Sequence, residues 1–392
     1  MNSSISSFSA KKFVVAFTVF FATLGVITIF LRVYFHYTGD LLTESEAIAL
    51  QQAAVGECDY QSAGGKNYFS YKKELNRTLK PEIVSLGSSL AAKFSENMFT
   101  AKFANLGVTI EDMNDIGSAV RQLTEAHQPR HIIFIVDTWW FNPKFRPLTE
   151  PIDPNDAIVA GDSAVMRTLI IQTWKRPKLL SFISEVGSGP HCPVGSLAKL
   201  YPSGFAKDGS RDYGERLVIP PDEQEDYQFR DTLERIDSGK RRFEHASETD
   251  DRMIERFLDV LASLKLQSIE YTLVVAPLAP TVFDRMTGSG NYGFIPKLFQ
   301  RFQDENLQIQ NYLDPSTLGI TDCEFVDGIH LGDVGTAKLL RAIGEHDERV
   351  KPFINEAETK RLAAMTGKSM VLITERYNIP ENDFLGIGCK KP

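Results

Sequence analysis

Residues 131–136 read HIIFIV, a run rich in β-branched and aromatic side chains with almost no polar break. A strand with one wet face alternates apolar and polar residues, whereas an unbroken apolar strand is covered on both faces, as in parallel sheets flanked by helices. This run therefore predicts an α/β domain, and the rhythm around it agrees. Glu82 to Leu86 reads as a short strand closing at Gly87, followed by a helix-like run from Ser89 towards Phe99. Phe103 to Val108 contains a second strand. Thr109 and Asp112 then give an S/T-x-x-D/E start signal for a helix that places Met113, Ile116, Val120 and Leu123 on one face and stops at Pro129. Further on, Ile254, Phe257, Leu258, Leu261 and Leu264 recur at helical spacing, Tyr271 to Ala276 reads as a strand, and another strand lies near Ile309 to Leu313. A last helix of the domain runs from Asp333 to Ile343. Strands separated by helices predict a parallel sheet with right-handed crossovers.

The rhythm breaks between Phe141 and Asp250, a stretch rich in Pro, Gly and charge, where only Ala164 to Trp174 and Leu179 to Ser184 read as clearly ordered. This stretch predicts an insertion or cap over the domain. The expected organisation is a tail at 1–12, an anchor at 13–36, a stalk at 37–80, the domain at 81–350 with its insertion at 142–250, and a C-terminal extension at 351–392. Within the stalk, Thr43-Glu44-Ser45-Glu46 fits a capping box for a short helix reaching Ala54, and Gly64-Gly65-Lys66 reads as loop, since the glycine spacing of a phosphate loop is absent. The extension carries a helix-like start, Asn355 to Ala364, and a strand-like piece, Met370 to Thr374.

Phe13 to Leu31 carries no charge. Nineteen helical residues span about 28 Å, close to the hydrocarbon core of a bilayer. A signal peptide has a shorter apolar region and a small-residue cleavage site. Here the run exits through Arg32, Tyr34, Phe35, His36 and Tyr37, aromatics suited to a membrane interface, so an uncleaved anchor is expected. Lys11 and Lys12 before the span, against Arg32 after it, favour a cytoplasmic N-terminus and an exported body. Cys58, Cys192, Cys323 and Cys389 would then lie where disulfides form, but their spacing leaves pairing and free buried thiols both open. His191 beside Cys192 has no further ligand nearby in the chain, so neither a metal nor another cofactor is expected. A net charge of −8 argues against a nucleic-acid partner, and the one dense basic cluster, Lys240-Arg241-Arg242, reads as a solvated loop.

Ligand crevices in parallel sheets open at the carboxyl ends of the strands. Three short motifs fall there. Gly87-Ser88-Ser89 turns from strand to helix, where a serine at the turn exposes its hydroxyl near backbone N–H groups; read alone, it is more readily an N-cap. Asn105-Leu106-Gly107 ends the next strand, and a glycine there lets a ligand approach an N–H. Asp327-Gly328-Ile329-His330 precedes the last helix, and a carboxylate three residues before an imidazole can accept from Nδ1 and leave Nε2 facing a nucleophile. Trp139-Trp140-Phe141, just beyond the third strand, either packs the core or offers Trp139 and Trp140 as a platform for a sugar ring.

The order of these blocks resembles that of the SGNH/GDSL hydrolase superfamily, and more narrowly its SGNH-like members in cell-envelope polysaccharide acylation, among them alginate acetylation proteins and the protein acting in D-alanylation of teichoic acids. The matching text is IVSLGSSLAAKF, ANLGVTIEDM, HIIFIVDTWWFNP, GFAKDGS and CEFVDGIHLGDVG. The resemblance implies a flavodoxin-like three-layer fold with a triad of Ser89, His330 and Asp327. It also implies an oxyanion hole of Ser89, Gly107 and the residue after the third strand. There the chain departs from the pattern: Asp137 stands where the family has Asn, and an ionised Asp cannot donate a hydrogen bond. Ser88 likewise replaces the usual Asp before the serine. The implied function is a membrane-anchored acylesterase or O-acyltransferase outside the cytoplasmic face of a bacterial inner membrane. Its substrate would be a glycan or acyl ester, and a membrane-bound acyl-donor protein its partner. The alternatives are an inactive scaffold in a polysaccharide export or modification complex, and a lipase.

Overall fold

Seven strands arise in a computed structural model that describes residues 10–62, 68–151, 167, 171 and 192–389. In chain order they are β1 (Ile83–Leu86), β2 (Phe103–Leu106), β3 (His131–Ile135), β4 (Ser203–Phe205), β5 (Arg211–Tyr213), β6 (Glu270–Val275) and β7 (Ile309–Asn311). Five of them form one parallel sheet in the order β2-β1-β3-β6-β7, while β4 and β5 make an antiparallel hairpin. The sheet order is that of flavodoxin-type doubly wound folds, whose crevice opens at the switch point between β1 and β3. Every residue of β1, β2 and β3 is buried, as the unbroken apolar run required. The helix at Asp251–Leu266 carries Ile254, Phe257, Leu261 and Leu264 on its buried face, as its periodicity predicts.

Three local expectations give way to tertiary contacts. The run after Ser89 is not a helix but two short 3-10 turns, Ser89–Ala91 and Glu96–Met98. Its carbonyls are taken from outside: the Asn105 side-chain amide donates to Ala91 O and Phe94 O, and the Arg211 amide donates to Ala92 O. The helix expected from Thr109 begins only at Ile116, because the Thr109 hydroxyl turns back to Leu106 O and the Asp115 carboxylate accepts from the amides of Glu111 and Asp112. The strand-like Met370–Thr374 lies instead in a helix, Val371–Tyr377, whose Leu372 amide donates to the buried carboxylate of Asp333. Two helices at Pro280–Gly288 and Phe294–Asp304 were not anticipated.

The segment expected as a stalk is packed onto the domain. Its capping box is present before the helix Glu44–Ala53, but Tyr60, Tyr71 and Leu75 are buried in a second apolar cluster with Val194 and Phe205. The cysteines are paired, Cys58 with Cys192 and Cys323 with Cys389, which ties this segment to the insertion and the C-terminal extension to the segment before Asp327. The N-terminal helix, Ala10–Thr38, contains the one stretch among the described residues long and apolar enough to cross a membrane. It enters the domain without a spacer: the Gly195 amide donates to Thr38 O at 2.8 Å, and the Ser196 amide to Asp40 at 3.1 Å.

The expected insertion helices at 164–174 and 179–184 and the 64–66 loop lie outside the described residues, apart from isolated positions. The described part of the insertion has more order than its composition promised, with β4, β5 and a helix at Arg230–Ser238. Leu217, Phe229, Ile236 and Phe243 from it join the main core, so this part shares the domain's packing.

Lys93 is 5% exposed, with Nζ 2.6 Å from Asp333 and 3.5 Å from Asp212. Arg376 pairs with Asp212 and, at 3.4 Å, with Asp59. Removing one member of a buried ion pair leaves its partner uncompensated. Lys93→Ala is expected to destabilise the fold by about 3–5 kcal/mol, read from the urea midpoint of the purified chain.

Candidate active site

The turn after β1 needs glycine at its first position. Gly87 has φ +145°, and a Cβ there would lie 2.6 Å from Ile135 O of the neighbouring strand. The turn is pinned from the other side, where the amides of Thr109 and Ile110 donate to Gly87 O and that of Val108 to Ser88 O. Ser88 caps the 3-10 turn by accepting from the Leu90 amide, which leaves Ser89 as the first turn residue, its hydroxyl facing the cleft.

The second half of the site is the loop before the helix Asp333–His346. Asp327 accepts from the amides of Ile329 and His330 at 3.0 and 2.9 Å, closing a tight turn that swings the imidazole back over its own carboxylate. Both Asp327 oxygens lie 2.8–2.9 Å from His330 Nδ1, and His330 Nε2 lies 2.8 Å from Ser89 Oγ. The three sequence-predicted residues are thus joined in one hydrogen-bonded series, across 241 residues of chain. Burial works against ionisation of Asp327, but His330, Arg216 (3.6 Å away) and the Ile329 amide outweigh it and hold the carboxyl well below the usual range. A fixed carboxylate at Nδ1 sets the tautomer that leaves Nε2 able to take the Ser89 proton.

The insertion supplies parts that no local motif announced. Asp226 accepts from the Gly328 amide at 2.8 Å and from both the amide and the hydroxyl of Thr232, clamping the Asp327–His330 turn. The Tyr213 ring lies 5.9 Å from the His330 ring. Arg242, expected in a solvated loop, instead brings Nη1 to 3.5 Å from Ser89 Oγ and lies over the Trp139 ring. With Ser89, Asp327 and His330 these residues border a cavity of about 550 Å³. Their only sequence signal was the basic cluster itself, which carries no mark of where the chain will fold back.

Two expected oxyanion groups are placed otherwise. The Gly107 N–H already donates to Asn105 Oδ1 at 2.8 Å, and a Cβ there would meet the backbone of Ala91 and Ala92 at 2.9 Å. Glycine at 107 is therefore explained by the close packing of two turns rather than by an amide kept open. Asp137 lies two residues beyond β3, is 1% exposed, and neither of its oxygens has a well-formed hydrogen bond. Burial pushes its pKa up to about 7, against the nearby Ser88 hydroxyl and the Arg242 charge, which lower it.

Trp139 and Trp140 are not a sugar platform, being 4% and 1% exposed; Trp140 Nε1 donates to Glu111 O, and the pair packs in the core. Cys192 is bonded to Cys58 and so offers no metal-binding thiolate beside His191, which itself lies outside the described residues. Compared with known protein families and with curated proteins, the chain matches none.

The Asp137 pKa near 7 lies above the ordinary carboxyl value of about 4. Between these values the folded protein holds a proton that the unfolded chain has released. The contribution of Asp137 to stability is therefore fully present below about pH 4 and lost as pH rises through about 7. Asp137→Asn removes that decline. Relative to wild type the variant should gain on the order of 2 kcal/mol between about pH 5 and about pH 8, measured by urea unfolding at both.

Proposed function

We propose that this chain is a membrane-anchored serine hydrolase or O-acyltransferase of the SGNH kind, working by an acyl-enzyme at Ser89. The observation that carries the reading is the unbroken series Asp327–His330–Ser89, with 2.8 Å at both the Nδ1 and Nε2 contacts. In this reading His330 takes the Ser89 proton as the hydroxyl attacks an ester carbonyl, and Asp327 steadies the imidazolium. Water completes an esterase cycle, and a sugar hydroxyl completes a transfer. The substrate class is an acyl ester of a cell-envelope polysaccharide, delivered for transfer by a membrane-bound acyl-donor protein. The apolar helix at Ala10–Thr38 supports anchoring in a membrane, in this reading a bacterial inner membrane, and two disulfides support a domain on an oxidising side.

A second reading, an inactive scaffold in a polysaccharide modification complex, is favoured by one observation: the Gly107 amide is engaged with Asn105.

Turnover of a neutral acetyl ester and labelling by a fluorophosphonate separate the two. Catalysis requires labelling at Ser89, and Ser89→Ala or His330→Ala should each lower turnover by on the order of 10³-fold or more. Turnover that survives Ser89→Ala would end the triad assignment, and a wild-type chain that neither labels nor turns over would favour the scaffold.

A further inference from the structure

Four of the five arginines lining the cleft are matched by carboxylates: Arg146 by Asp112, Arg216 by Asp327, and Arg235 and Arg241 by Asp231. Arg242 has no such ion pair among the described residues. Its guanidinium lies over the buried Trp139 ring, 5.4 Å from the centroid, and Nη1 is 3.5 Å from the Ser89 hydroxyl. The backbone that delivers it is strained, since Arg241 and Arg242 have φ values of 52° and 85°. Such left-handed conformations cost about 1–3 kcal/mol in a non-glycine residue and persist where the surroundings hold them, often at functional sites. A cation in no close ion pair, with a planar set of donors and only the buried Asp137 carboxyl acting on its charge, is thus held against the nucleophile.

The donors expected for an oxyanion beside Ser89 are mostly committed. The first amide of a turn has no partner inside it, which leaves the Ser89 N–H. The Gly107 N–H is engaged, and Asp137 when ionised can only accept. We propose that Arg242 is a catalytic residue of this site, its guanidinium donating the second hydrogen bond to the oxyanion formed when Ser89 attacks an ester. The assignment rests on the triad reading above. As Ser89 Oγ bonds to the carbonyl carbon, its proton passes to His330 Nε2 and the C=O π pair moves onto oxygen, where Arg242 and the Ser89 amide hold it. When that pair returns, the bond to the alcohol oxygen breaks and the leaving oxygen takes the proton from His330. Charge-assisted hydrogen bonds are stronger than neutral ones, so a guanidinium can stand in for the missing neutral donor.

An arginine that instead reads a carboxylate on the substrate would act on ground-state binding, and the two roles separate kinetically on a neutral ester. The test uses the full chain in detergent with p-nitrophenyl acetate, comparing wild type, Arg242→Ala, Arg242→Lys and Ser89→Ala, each checked by thermal melting. Arg242→Ala should lower kcat by about 10²–10³-fold and leave KM within about 3-fold. Guanidinium added at millimolar concentration should restore activity to Arg242→Ala but not to Ser89→Ala. If Arg242→Ala does not fold, Arg242→Lys carries the test, with a loss of at least about 10-fold in kcat expected from the altered donor geometry. A wild-type kcat in the folded arginine variants, including the case where only KM for an anionic ester rises, overturns the role of Arg242 and leaves the triad standing. A wild-type chain that neither turns over the ester nor takes a fluorophosphonate at Ser89 overturns the triad reading and this proposal together.

Discussion

The ion pair between Lys93 and Asp333 joins the two halves of the site. Lys93 lies four residues beyond Ser89, and Asp333 lies three beyond His330, so this contact at 2.6 Å fixes the nucleophile's turn against the base's loop. The pair is almost fully buried, and further charges from other parts of the chain lie beside it. Asp212 comes from the hairpin, Arg376 from the C-terminal extension and Asp59 from the segment after the anchor. A buried charge is tolerated only when its partners are all in place. The network therefore makes the position of each segment conditional on the others, and the extension and the N-terminal segment take part in supporting the site.

The insertion plays a comparable part from above. Asp226 holds the turn that carries His330, Arg216 adds a positive charge beside Asp327, and Arg242 meets Ser89. The sheet brings three motifs to one edge, and the insertion supplies the polar surroundings that decide what those motifs can do. The insertion can do so because it is itself anchored in the main core through Leu217, Phe229, Ile236 and Phe243.

Most of the sheet was legible in the chain. HIIFIV required cover on both faces, and the strand at Tyr271 and the helix around Phe257 followed from simple periodicity. Asp327 and His330 were legible as well, since three residues of separation on a turn leave an imidazole little choice of partner. Where reading failed, a distant side chain had intervened. Asn105 captures the carbonyls that a helix after Ser89 would have used, and Asp333 captures an amide at the start of the last helix, in a run whose residues favoured a strand. Glycine at 107 was read as room for a ligand, when the room is needed by the neighbouring turn.

The sequence by itself determined the α/β class, the apolar N-terminal helix and the Asp327–His330 pair, because each depends on residues close together in the chain. Tertiary structure alone decided that Ser89 meets His330, that the cysteines pair, that the expected stalk is packed, and that Arg242 rather than the tryptophans faces the cleft. Those outcomes depend on which side chains find partners across separations of 66 to 241 residues. Local propensity carries no record of such pairings, since the energy that selects them exists only once the segments are brought together.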